Sequence, residues 1–253
     1  MKNLGVITGA SSGIGKAFAF ELVKTHDLVL VARRKDMLDE VSNELKKYGN
    51  NVSIFVADLA REEDLEKLEK FLSNTNVDIL VNAAGFGDSH TFQESSAGLI
   101  HDMIFVHVVS TTRLSQIVLS GMLVQKHGVI INVASISGFS KINAGNLIYN
   151  STKAYLIRFS ELLQQINNLK DTVKVQVLCP GFTETGFFKD NNHNGKIPRF
   201  LFMKAEDVVK KSLKKIKSRN TVCIPGWYNM LIAGIIGNVF MLPILKFFNK
   251  IYA

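Results

Sequence analysis

Thr8-Gly9-Ala10-Ser11-Ser12-Gly13-Ile14-Gly15 stands between a short apolar run, Leu4–Thr8, and a helical pattern over 14–25. A strand that feeds a glycine-rich turn and then a helix opens a β-α unit. Glycines in such a turn let the backbone approach a pyrophosphate, which then rests at the positive end of the helix. An ordinary tight strand–helix turn is the competing explanation, and the strand-before, helix-after context favours the dinucleotide. The nucleoside-triphosphate loop is excluded by spacing. Gly15-Lys16 is followed by Ala17, and Ala10 stands where that loop's first glycine would be.

The same alternation continues along the chain. Strands are predicted at Leu4–Thr8, Leu28–Ala32, Val52–Ala57, Ile79–Asn82, Val129–Val133, Val173–Cys179 and Val222–Ile224, with helices near 14–25, 36–48, 62–73, 97–126, 149–168 and 204–218. The strands are continuously apolar rather than alternating, which predicts a parallel sheet buried on both faces by helices. No repeat, low-complexity segment or linker interrupts the pattern. One doubly wound α/β domain over 1–253 is expected.

At 253 residues, 47% hydrophobic and 21% charged, the chain reads as globular. Much of the net charge of +8 comes from Lys210-Lys211-Ser212-Leu213-Lys214-Lys215-Ile216-Lys217. Val209, Leu213 and Ile216 form one helical stripe there, so the lysines read as a solvated face, with attraction to anionic lipid as the lesser alternative. No nucleic-acid module accompanies the charge, and no nucleic-acid partner is expected. Cys179 and Cys223 sit inside apolar runs and read as small buried hydrophobes in a reducing compartment, not as metal ligands. The first strand begins near Asn3, leaving no room for a targeting peptide, so a cytoplasmic location is expected.

The remaining strand ends carry the chemistry. Val31-Ala32-Arg33-Arg34 offers two guanidinium groups where an NAD site would present a carboxylate to the ribose. Guanidinium suits a 2′-phosphate, so NADP(H) is favoured, with Asp36 read as a helix N-cap. Asp58-Leu59 could bracket an adenine, and Asn82-Ala83-Ala84-Gly85 places small residues where backbone meets cofactor. Ser135 follows the fifth strand, at the carboxyl edge where ligands bind in such sheets. Tyr149 and Lys153 stack one turn apart on a helix, and a nearby ammonium is expected to lower the phenol's pKa enough for acid/base work. Pro180-Gly181-Phe182-Thr183 ends the sixth strand.

Together TGASSGIG, ARR, NAAG, Ser135, YNSTK and PGFTET resemble the short-chain dehydrogenase/reductase family from Asn3 to about Gly226. The resemblance implies a Rossmann-like sheet of about seven strands in the order 3-2-1-4-5-6-7. It also implies hydride transfer between NADP(H) and a carbonyl/alcohol pair, as in 3-oxoacyl or ketone reductases. Tyr149 would be the proton donor, Ser135 the carbonyl-orienting group, and Lys153 a ligand of the nicotinamide ribose. Thr8, Gly9, Ser12, Gly13, Ile14 and Gly15 would form the phosphate turn, with Ser11, Arg33 and Arg34 on the 2′-phosphate. Asp58, Leu59, Asn82, Ala83, Ala84, Gly85, Pro180, Gly181 and Thr183 would line the rest of the cofactor. Homodimers or homotetramers through helices 97–126 and 149–168 are implied as well. One position departs: the family's usual Asn is His107. That Asn is thought to hold a relay water through its backbone carbonyl, which any residue supplies, so the relay is expected to survive.

Residues 183–203 read as a substrate lid, and Phe182, Phe187, Phe188, Phe200 and Phe202 predict a small apolar carbonyl substrate, with ordinary core packing as an equal competing explanation. Trp227–Leu245 carries no charge and reads as a membrane-surface helix, a pocket cover or a subunit contact, with a true span opposed by Asn229, Gly234, Gly237, Asn238 and Pro243. A non-catalytic NADP-binding protein that senses redox state or holds a partner is the alternative function; an epimerase or dehydratase needs a larger substrate region.

Overall fold

The structure, a computed structural model, describes residues 3–88, 90–141, 147–166, 172–186, 198–216, 218 and 220–238. Seven parallel strands form one sheet in the order β3-β2-β1-β4-β5-β6-β9. They are β1 Leu4–Thr8, β2 Asp27–Ala32, β3 Val52–Val56, β4 Ile79–Asn82, β5 Gly128–Val133, β6 Val173–Leu178 and β9 Val222–Cys223. A two-stranded pair, β7 Thr183–Glu184 and β8 Met203–Lys204, closes the loop between them. The expected doubly wound sheet is therefore present, with the predicted β7 realised as β9. All four residues of β4 are buried, which explains why its sequence shows no period of two.

Helices cover both faces. On one, α1 Gly13–Leu22, α2 Lys35–Leu45 and α7 Ala205–Lys215 pack Phe18, Leu22, Leu38, Val208 and Val209 against the strands. On the other, α3 Glu62–Ser73 and α5 Thr111–Gln125 bring Leu65, Leu68, Leu114, Val118 and Met122 onto Val6, Leu80 and Ile130. The lysines of α7 that were read as a solvated face include Lys210, Lys211 and Lys214, all exposed, while Val208, Val209 and Ser212 are fully buried. Cys179 and Cys223 are free and buried.

The helix expected over 97–126 is divided. α4 Ala97–Ile104 passes into a π-helical turn, Phe105–Ser110, before α5 begins. By length and composition 97–125 could cross a membrane. Here it is a core helix: Met103, Val106, Leu114, Val118 and Met122 are buried, and Arg113 is tied to Glu62 and Glu69 of α3. α6 spans Leu147–Gln165. The uncharged segment beginning at Trp227 forms α8, Trp227–Gly237, about 16 Å long at 1.5 Å per residue. That is roughly half a ~30 Å hydrocarbon layer; residues 239–253 lie outside the described residues. Asp36 is not the N-cap of α2. Arg34 occupies that position in extended conformation, and Asp36 lies in the first turn, where its charge still suits the helix dipole.

Because β1 neighbours both β2 and β4, the order in which strands are added reverses at the β1/β4 boundary, and the carboxyl ends of these parallel strands open a crevice there. The packing makes a direct expectation. Phe18 is fully buried and Phe200 is 79% exposed, so Phe18→Ala should cost about 3–5 kcal/mol and Phe200→Ala no more than about 0.5 kcal/mol. Urea midpoints for the two variants check this; equal losses would contradict the packing.

Candidate active site

The glycine-rich turn closes by backbone contact that no side chain could share. Gly9 has φ +67°, and a Cβ on it would lie 2.8 Å from the Ala83 oxygen and the Ala84 nitrogen. A Cβ on Gly15 would collide with the Gly9 carbonyl. Gly13 has φ +54°. Thr8 Oγ1 accepts the amides of Ala83 and Ala84, each at 3.1 Å, and so ties the ends of β1 and β4 together. Ser12 caps α1 in extended conformation without spending its hydroxyl on the helix. Ile14 is half-buried against the core and Ser11 is buried. The result is a concave backbone lip at a helix N-terminus, shaped for a diphosphate.

Arg33 and Arg34 are both exposed after β2. Asp36, the next carboxylate along the chain, lies within the first turn of α2. Asp58 is held in its own turn: its Oδ1 accepts the Ala60 amide at 3.1 Å, and Arg61 stands 3.9 Å away. Leu59 is buried, and its carbonyl accepts the Ser110 hydroxyl at 2.7 Å. Asn82 is the most altered of the cofactor candidates. Its side chain turns inward, donating to Asn132 Oδ1 at 2.9 Å and Ser115 Oγ at 3.1 Å. Asn132 in turn donates to Ser160 at 2.9 Å. This buried network ties α5, β4, β5 and α6 together, so Asn82 can face a cofactor only through its backbone.

At the end of β5 the chain turns sharply through a 3₁₀ segment, Ile136–Phe139. Ser135 Oγ accepts the Ser137 amide at 3.2 Å and also hydrogen-bonds the Tyr149 phenol in the first turn of α6. Lys153, one turn on, is buried and donates to the Val133 carbonyl at 3.0 Å, with its Nζ 5.4 Å from the Tyr149 ring centroid. Pro180 contributes its carbonyl to the Ile136 amide at 3.0 Å, and Thr183 returns its hydroxyl to Gly181 at 3.0 Å. Ser135, Tyr149 and Lys153 are thus together at the carboxyl edge of the sheet.

The electrostatics differ from the sequence expectation of an acidified phenol. Burial pushes Tyr149 up to about 12, and the Ser135 hydrogen bond works the other way without overcoming it. The residue as a whole is half-buried, so this describes an enclosed hydroxyl on a partly exposed ring. Burial also pushes Lys153 down to about 8. The ammonium expected to acidify the phenol is itself penalised by the same apolar surroundings, and its hydrogen goes to Val133.

His107 lies in the π-helical turn and is fully buried. Its Nε2 accepts the Phe86 amide at 3.1 Å, and its Nδ1 is 2.9 Å from Thr152 Oγ1. Thr152 donates its hydroxyl to the Tyr149 carbonyl at 2.8 Å. Gly85 packs directly on the ring: a Cβ there would lie 2.8 Å from Nε2. Sequence reading singled out His107 but not Thr152, Phe86, Asn132 or Ser160. Thr152, inside YNSTK, and Phe86, directly after Gly85, stood next to recognised positions. On the substrate side, the Phe182 and Phe202 rings lie 5.6 Å apart at the base of the predicted lid, which β7 and β8 pin. Phe187 and Phe188 fall outside the described residues.

A family model described as short chain dehydrogenase matches residues 3–196. The human very-long-chain 3-oxoacyl-CoA reductase is 34% identical over 193 residues, which is 73% of this chain and 60% of that protein. The bovine protein of the same name is 29% identical over 95% of this chain and 81% of its own length. Among solved structures, a short-chain dehydrogenase from Sphingobium yanoikuyae in complex with NADPH superposes with a TM-score of 0.83 at 31% identity, covering 92% of this chain and 93% of that one. The bulky-bulky ketone specific alcohol dehydrogenase from Comamonas testosteroni gives 0.79 at 28% identity, covering 91% and 90%.

The buried pair makes stability depend on pH. Between about 8 and 9 the unfolded chain keeps a Lys153 proton that the folded chain has released, so stability should rise with pH in that window. Above about 9 the folded chain keeps the protons of the buried Cys179 and Cys223 thiols, and above 10 that of Tyr149, which the unfolded chain loses, and the sign reverses. Urea midpoints of the cofactor-free protein from pH 7.5 to 11 should show the rise, and Lys153→Met should flatten it. A wild-type curve that the substitution leaves unchanged would contradict the burial assigned to Lys153.

Proposed function

Because the chain belongs to the short-chain dehydrogenase family, we propose that it reduces the carbonyl of an apolar ketone or 3-oxoacyl compound with NADPH. Membership makes it an oxidoreductase using a nicotinamide cofactor. The finer reading rests on one observation: two hydroxyls, Ser135 and Tyr149, hydrogen-bonded to each other beside a buried lysine at the open edge of the sheet.

The chain's residues fit the cofactor. The lip formed by Gly9, Gly13 and Gly15 at the start of α1 would take the diphosphate, and Arg33 and Arg34 would grip a 2′-phosphate. Ala83, Ala84 and Gly85 offer backbone on one side, and Pro180, Gly181 and Thr183 on the other. When bound, NADPH supplies the hydride that goes to the carbonyl carbon. Ser135 would hold the carbonyl oxygen by hydrogen bonding, and Tyr149 would deliver its phenolic proton to that oxygen as negative charge develops. A phenol near 12 is fully protonated at neutral pH, and an alkoxide is still a strong enough base to take its proton. That state suits the reducing direction better than the oxidising one. Lys153 would offset the charge left on the phenolate.

The substrate assignment draws on the relatives' names, a very-long-chain 3-oxoacyl-CoA reductase and a bulky-bulky ketone specific alcohol dehydrogenase, and on the paired Phe182 and Phe202 rings after β6. Tyr149→Phe should lower kcat by at least about a thousandfold, because the proton donor is lost, while NADPH still binds by fluorescence titration. With the wild type, each methylene entering the pocket should lower KM about fourfold, from about 0.8 kcal/mol of burial. A Tyr149→Phe enzyme of normal rate, or KM values indifferent to chain length, would remove the donor or the apolar pocket respectively.

Exposed Val124, Tyr155 and Leu162 on the outer faces of α5 and α6 support a homodimer or homotetramer through those helices. On α8, Trp227, Met230, Leu231 and Ile235 form an exposed stripe without charge, which supports a subunit or membrane-surface contact through 227–253. Light scattering alone and with anionic vesicles measures both. A monomer at micromolar concentration that ignores vesicles would refute the two contacts together.

A further inference from the structure

We propose that His107 is a positioning residue: an imidazole protonated only at Nδ1 that clamps the Ala83–Phe86 loop to the first turn of α6, and passes no proton during turnover. The assignment follows from which atoms can donate. The Phe86 amide has a hydrogen to give and nothing to accept with, so Nε2, 3.1 Å away, must offer its lone pair. Nδ1 then carries the proton and gives it to Thr152 Oγ1 at 2.9 Å. The Thr152 hydroxyl is free to donate onward to the Tyr149 carbonyl at 2.8 Å. The chain of donors runs one way, from an amide to a carbonyl, and neither end can exchange a proton with the Tyr149 phenol or with Lys153.

The setting reinforces this. The ring is fully buried and wedged between Phe86 and Tyr149, with centroid distances of 5.8 Å to each. Lys153 is the charged group that acts on it, and both burial and that charge hold the imidazole well below its usual range. Gly85 leaves the space that the ring needs, since a Cβ there would meet Nε2 at 2.8 Å. The π-helical turn widens the helix at this point, and such turns recur where a side chain has a placed function. One rigid side chain therefore connects three parts of the site: the loop after β4, the turn between α4 and α5, and the backbone of the proposed proton donor.

The inference deepens the reductase reading, but its first test needs no substrate. In protein labelled with ¹⁵N histidine and saturated with NADP⁺, the His107 ring nitrogens should show the neutral, Nδ1-protonated tautomer from pH 5 to 9. An imidazole that titrates near its ordinary value, or one protonated at Nε2, would overturn the proposal whatever the substrate proves to be. The second test uses NADPH and a ketone that the wild type turns over. Thr152→Val, which keeps the shape and removes the link, should lower kcat about tenfold or more, with the ketone KM and the pH profile of kcat unchanged. His107→Asn should retain kcat within about tenfold and keep the same pH profile, because an amide can still accept from Phe86. Loss of an ionisation from the profile in His107→Asn, or full activity in Thr152→Val, would overturn it.

Discussion

The site depends on the close approach of α6 to the turn that leaves β5. Gly138 makes that approach available: a Cβ there would stand 2.7 Å from the Lys153 carbonyl carbon and 2.9 Å from the Ala154 nitrogen. With the helix this close, Lys153 reaches back under the turn to the Val133 carbonyl, and Tyr149 meets Ser135. A side chain at 138 would push the helix away by more than a hydrogen bond tolerates. Ser135 also caps the turn through the Ser137 amide, so one hydroxyl is held by the turn and the helix at once.

The price of this compactness is electrostatic. An ammonium, a phenol and an imidazole share a poorly hydrated corner, and each resists its charged form: the lysine is pushed down to about 8, the tyrosine up to about 12, and the histidine falls below its usual range. The imidazole settles the conflict by staying neutral and satisfying both ring nitrogens. A second buried network, Ser115–Asn82–Asn132–Ser160, stands beneath it on the same face and ties the strands carrying the site to α5 and α6. Its hydrogen bonds restrict how the two helices can sit on the sheet, although Asn82 Oδ1 itself is buried without a partner among the described residues.

Much of the architecture was legible because parallel strands buried on both sides are continuously apolar, and because turn glycines mark where backbone meets backbone. Strand positions agree within a residue or so, and Ser135, Tyr149 and Lys153 converge as their motifs imply. The misreadings concern quantities that depend on surroundings. Local spacing puts Lys153 beside Tyr149 but says nothing of how little water reaches either, so the acidified phenol did not follow. Asp36 looked like a cap by composition, yet the helix begins a residue earlier at Lys35. The asparagines of ILVN and IINV are 50 positions apart and become partners only through the β4–β5 register, Asn82 opposite Asn132. The π-helical turn shows no periodic signature, because Phe105-Val106-His107-Val108-Val109 is almost continuously apolar and hides the phase shift that an extra residue introduces.

The central claim is that this cluster carries out carbonyl reduction with hydride from NADPH. Incubating the protein with NADPH deuterated at the transferable C4 position and a medium-chain ketone, then weighing the alcohol by mass spectrometry, tests it most directly. The account predicts an alcohol one mass unit heavier, with the deuterium on the carbinol carbon. Saturating NADPH binding with no labelled alcohol from any ketone or 3-oxoacyl thioester would contradict it.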